Sequence, residues 1–88
     1  MAATHAIVIE RAARKALEGL PRPIQERART QIDALAHNPR PHGAKRLQAK
    51  AGELLRLRVG AYRIIYRIED DRLVVVVIDV GHRREVYG

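Results

Sequence analysis

Leu54-Leu55-Arg56-Leu57-Arg58-Val59-Gly60-Ala61-Tyr62-Arg63-Ile64-Ile65-Tyr66-Arg67-Ile68 consists of two alternating segments divided by a glycine. Successive side chains of a strand point to opposite faces, so alternation over this length describes a β-hairpin with one wet and one buried surface. In the first strand Arg56 and Arg58 share one face and Leu55 and Leu57 the other. In the second, Arg63 and Arg67 share a face, and Ile64, Tyr66 and Ile68 lie opposite. Two registers are open. A turn at Val59-Gly60 sets Arg56 across from Arg63, and a turn at Gly60-Ala61 sets Arg58 across from Arg63. Both collect the arginines on one surface.

Downstream, Asp70-Asp71 supplies a turn, and Leu73 to Val80 is a nearly unbroken β-branched run, the pattern of a strand covered on both faces. Upstream, Ile7-Val8-Ile9 fits an opening strand. Glu10 to Glu18 is Ala-rich and helix-favouring, with Ala13, Ala16 and Leu17 on one face, and Gly19 stops it. Pro21 and Pro23 suit the entry of a second helix, where a missing N–H costs nothing. Ile24, Ala28, Ile32 and Leu35 then form one apolar stripe, ended by Asn38-Pro39. Pro39 to Glu53 lacks periodicity and reads as a loop holding Arg40, His42, Lys45, Arg46 and Lys50. The expected architecture is α+β, in the order β-α-α-β-β-β. It is an antiparallel sheet with a two-helix hairpin on one face, one domain over residues 1–88.

Hydrophobic residues make up 47% of the 88, enough to exclude disorder, but Phe and Trp are absent, so aliphatic side chains must build the core. Without cysteine there are no disulfides or thiolate metal sites, and no cofactor is expected. Met1 to Glu10 lacks the pattern of a signal peptide, and the run Leu73 to Ile78 is too short to span a membrane, so the expected compartment is the cytoplasm. Seventeen Lys and Arg against ten Asp and Glu leave a net charge of +7. Such an excess favours polyanions through counterion release and steering. Fourteen of those cations are Arg, whose planar fork matches phosphate.

Like charges directly opposite on a sheet are unfavourable by several tenths of a kcal/mol. One account pairs each guanidinium with an acid, for which Glu53, Glu69 and the aspartates are available. The other makes the face a cradle for an RNA phosphate, flanked by Lys45, Arg46 and Lys50. Val80-Gly81-His82-Arg83-Arg84-Glu85-Val86-Tyr87 leaves the last strand and has the length to bring Arg83 and Tyr87 to the same place.

The run Arg56 to Tyr66, followed by Val80-Gly81-His82-Arg83 and Val86-Tyr87, resembles the RelE toxin family over nearly the whole chain. The resemblance implies cleavage of mRNA in the ribosomal A site and restraint by an acidic RelB-like antitoxin that wraps the toxin. It also implies a catalytic role for Arg56, phosphate binding by Arg63, charge stabilisation by Arg83, and stacking or proton handling by Tyr87. Leu54 stands where the family carries its first catalytic-strand lysine. Metal-free RNA cleavage uses the 2′-hydroxyl as nucleophile and needs a base, charge on the transition state and an acid. Arginine is a poor base, which leaves Tyr87, His82, a loop lysine (Lys45 or Lys50), or assistance from the ribosome or from strain in the mRNA, for that task. Two alternatives are a ParE-like toxin directed at DNA gyrase and a degenerate module that only binds antitoxin.

Overall fold

A computed structural model describes residues 4–48 and 53–82. The chain runs β1 (Ala6–Ile9), α1 (Arg11–Glu18), α2 (Arg22–Ala34), β2 (Lys45–Gln48), β3 (Glu53–Val59), β4 (Tyr62–Glu69), a 3-10 turn (Asp70–Arg72) and β5 (Val74–His82). The sheet order is β1-β5-β4-β3-β2. Both helices cover one face, as the alternation requires. Leu55, Leu57, Val59, Ile64, Tyr66, Ile68, Val75, Val77 and Val80 meet Ala13, Leu17, Ala28, Ile32 and Leu35 in one core.

The α+β architecture with a helical hairpin on a sheet is as the sequence predicts, with two refinements. Lys45–Gln48, expected in a loop, pairs antiparallel with β3 as an edge strand. Only four residues long and carrying no alternating apolar set, it is invisible to a periodicity argument; its place is fixed by its neighbour. Second, β1 lies parallel to β5, so the sheet is mixed. A strand of four residues carries no mark of its direction. Ile7 and Ile9 pack against the core, while Val8 is 47% exposed on the opposite face.

Of the two hairpin registers, the Gly60-Ala61 turn is the one formed: Val59 pairs with Tyr62 and Arg58 with Arg63. Gly60 has φ +61, and no other residue of the turn has positive φ, the pattern of a type II′ connection that matches strand twist. Between β4 and β5 the register slips once, so that Ile65 pairs with Asp79 but Tyr66 with Val77. Ile78 is thus the extra residue of a β-bulge, which bends the strand and re-aims the side chains beside it.

Far from the hairpin turn, an ionic cluster closes the other end of the sheet. Arg40 donates through Nε to both Glu53 carboxylate oxygens at 3.1 and 3.2 Å and through Nη2 to Asp70 at 2.6 Å. His5 Nε2 lies 3.1 Å from the other Asp70 oxygen. Hydrogen bonds from Arg40 hold both carboxyls below their ordinary pKa, with His5 assisting at Asp70. Among the described residues no helix is long and apolar enough to cross a membrane.

Candidate nucleic-acid interface

Cross-strand pairing lays the face away from the helices out in rows. Nearest the hairpin turn, Arg58 lies opposite Arg63, and Arg63 opposite Gly81. The next row runs Lys45, Arg56, Ile65, Asp79 across four strands. A third runs Leu54, Arg67, Val76, Val8. All four hairpin arginines therefore share a surface, and the short strand β2 adds Lys45 to it.

Their electrostatic states differ. Arg63 is only 4% exposed. Its Nη1 donates to the His82 carbonyl oxygen at 2.9 Å and its Nη2 to the Asp79 carboxylate at 3.3 Å. Arg67 Nε donates to Glu69 at 3.0 Å, and Arg72 Nη1 donates to the same carboxylate at 3.1 Å. Self-neutralisation thus describes Arg63 and Arg67. It does not describe Arg58, which is exposed, Arg56, which is half-buried, or Lys45, which is exposed; none has a carboxylate partner among the described residues. The Nε atoms of Arg56 and Arg63 are both buried without a hydrogen-bond partner among those residues. A buried donor left unsatisfied is costly, and both of these atoms belong to arginines of the face that the helices leave open.

Other candidate residues are placed elsewhere. Arg46 pairs with Leu55, which turns its side chain toward the helix side of the β2 edge. His82 pairs with Tyr62, and the two rings meet edge to face at 5.4 Å between centroids. Tyr62 and its neighbours at that parity, Ile64 and Val80, belong to the core face, so the His82 ring is not brought to the arginine rows. Lys50, Arg83 and Tyr87 lie outside the described residues. Asp79, one of the aspartates available as a partner, is the acid that meets Arg63. Its signal was a single acid inside the β-branched run Leu73 to Val80. Two shallow grooves run along α2, one lined by Arg22, Gln25, Glu26 and Arg29, the other by Pro23, Glu26, Arg27, Thr30 and Gln31. They are solvated helix surface across the sheet from the arginines and take no part in the site.

The comparison that decides the family spans nearly the whole chain: residues 7–87 match the family described as the ParE toxin of the type II toxin–antitoxin system parDE. The chain belongs to this family. It is a type II toxin of the RelE/ParE superfamily. The toxin is similar in structure to the archaeal RelE of the RelE–RelB complex from Pyrococcus horikoshii. That match has a TM-score of 0.83 and 27% identity, and covers 91% of this chain and 96% of that one. It is also similar to a chain of the RelBE2 toxin–antitoxin complex from Mycobacterium tuberculosis, with a TM-score of 0.77 and 28% identity over 91% of this chain and 99% of that one. In sequence it matches the toxin RelG of Mycobacterium tuberculosis at 47% identity over 30 residues, a stretch that spans 34% of that protein.

Proposed function

We propose that this toxin, acting as one domain in the cytoplasm, is a ribosome-dependent mRNA endoribonuclease that cleaves by attack of the ribose 2′-hydroxyl on the scissile phosphate. The observation that carries the reading is the set Lys45, Arg56 and Arg58: three cations without carboxylate partners among the described residues, on the sheet face the helices leave open. Arg56 and Arg58 bind the phosphate and stabilise the charge that develops on it. Arg63, fixed from two sides, supplies positive potential at the floor of the site. Arg83 and Tyr87, which follow β5 in the order the RelE resemblance requires, complete the machinery as charge stabiliser and proton-handling group. The base is assigned to Tyr87 rather than His82, whose ring lies toward Tyr62. The relatives from Pyrococcus horikoshii and Mycobacterium tuberculosis were solved as complexes with antitoxin. An acidic antitoxin is likewise the fitting restraint for a chain of net charge +7.

Primer extension on a message translated by purified ribosomes tests the reading. Added toxin is expected to produce stops within the coding region that vanish when ribosomes are omitted, and the Arg56→Ala/Arg58→Ala variant is expected to lose at least ~100-fold of that activity. A second reading, inhibition of DNA gyrase, is favoured by the ParE description of the family. Loss of supercoiling activity with no cleavage of ribosome-bound message would replace the first reading by the second.

A further inference from the structure

Asp79 sits beside Arg63 for a structural reason. The bulge at Ile78 re-aims the strand immediately before it, and the carboxylate comes to rest 3.3 Å from Arg63 Nη2. That is long for a charge-assisted hydrogen bond, which runs at about 2.7–2.9 Å. The partners are also unequal: the Arg63 side chain is 5% exposed, whereas that of Asp79 is 52% exposed. Arg63 keeps its position independently, because its Nη1 is tied to the His82 carbonyl oxygen. In the two rows nearest the hairpin turn, Asp79 is the one carboxylate among the described residues, sharing them with Lys45, Arg56, Arg58 and Arg63.

We infer that Asp79 is a built-in competitor for the substrate phosphate, an anion of the chain's own that occupies the outer side of Arg63 and must swing into solvent before an RNA phosphodiester can take its place. The inference rests on the endoribonuclease reading and adds a residue to it. Physically the exchange is charge for charge. Leaving Arg63 buried and unpaired is unfavourable, so a neutral ligand gains nothing by displacing Asp79, whereas a phosphate replaces what it removes. Asp79 is half in water, so releasing it costs little. As a tethered group, however, it competes at high effective concentration. Short free RNA loses that contest. A message already held by other contacts wins it, so Asp79 sets a threshold that disfavours free RNA and leaves ribosome-bound message accessible. Asp79 is in this sense a specificity-determining residue.

The probe is a fluorescent 2′-O-methyl oligoribonucleotide, which cannot be cleaved, titrated into wild-type toxin and the Asp79→Asn and Asp79→Ala variants at several salt concentrations. Asp79→Asn is expected to bind about tenfold tighter at 0.1 M salt, with a slope of log K on log salt steeper by about 0.7, the increment for one further phosphate neutralised on a single strand. A merely structural ion pair would not steepen that slope. Should both variants fold poorly, the wild-type protein still answers: its Asp79 carboxyl carbon resonance is expected to stay in place with a dinucleotide and to move with a longer oligonucleotide that also holds Lys45, Arg56 and Arg58.

Primer extension on ribosomes is run beside the binding. Cleavage by wild type with unchanged affinity and slope in the variants, and a stationary Asp79 resonance, overturns the competitor role alone. Tighter, steeper binding by Asp79→Asn without cleavage by wild type overturns the endoribonuclease reading and keeps the competition for polyanion. Failure of every form to bind overturns both.

Discussion

Tyr66 is fully buried yet carries a hydroxyl, which donates to the Pro39 carbonyl oxygen at 2.8 Å. Tyr66→Phe leaves that carbonyl without its donor and is expected to cost about 1–2 kcal/mol in urea unfolding, with cleavage unchanged because the residue faces the core. Burial, with the Glu53 charge, pushes the Tyr66 hydroxyl up from 10.0 to about 12. The protonated form is the one favoured by folding. Its contribution is therefore complete below pH 10 and is lost as pH rises toward 12, which a pH series of unfolding curves reads, with Tyr66→Phe insensitive in that window. On the opposite face the same parity argument located Arg56, Arg58, Arg63 and Arg67 together from sequence alone. It did not foresee which of them lack a carboxylate partner among the described residues. Pairing depends on where acids from other strands arrive, and the arrival of Asp79 depends on a bulge that no periodicity records.

At the scale of elements, the β3–β4 hairpin turns on one backbone angle. A Cβ added to Gly60 would meet only Arg27 Nη1 at 3.7 Å and Ile24 Cδ1 at 3.9 Å, ordinary contacts, so the obstacle to a side chain there is the positive φ and not space. Gly60→Ala is expected to destabilise by about 1–2 kcal/mol and to loosen the Arg58–Arg63 register, weakening RNA binding along with stability. The glycine between two alternating runs made this turn legible. Strand β2 and the ionic cluster at the far end were not, because both are made by residues brought together from distant segments. Arg40 follows α2, Glu53 opens β3, Asp70 follows β4 and His5 precedes β1. Folding lowers the Glu53 and Asp70 pKa values, so their contribution is complete above the ordinary carboxylate range of about 4 and is lost as acid titrates the folded carboxylates below it. Arg40→Gln is expected to flatten the fall of the melting temperature below about pH 4, and an unchanged acid limb would show that the cluster does not matter to stability.

The chain carries a net charge of +7, and its described residues occupy a body of 35 × 27 × 25 Å, dimensions of only a few Debye lengths. Self-repulsion of that density opposes folding, and a core without Phe or Trp has little surplus to set against it. The free toxin is therefore expected to gain stability from added salt, which screens the repulsion. It is expected to gain much more from a polyanion that binds only the folded face. Non-cleavable RNA at about 100 times its dissociation constant contributes about 2.7 kcal/mol, which for a domain of this size corresponds to a rise of roughly 10–20 °C in melting temperature. Salt acts on the two effects in opposite directions. Between low and about 0.5 M salt the melting temperature of the free protein should climb while the increment from RNA collapses, because counterion release no longer favours binding. A differential scanning fluorimetry grid of salt against RNA separates them. An RNA increment that survives high salt would mean that recognition rests on something other than the arginine face. In the Arg56→Ala/Arg58→Ala variant the increment should be small at every salt, while the salt response of the free protein is retained.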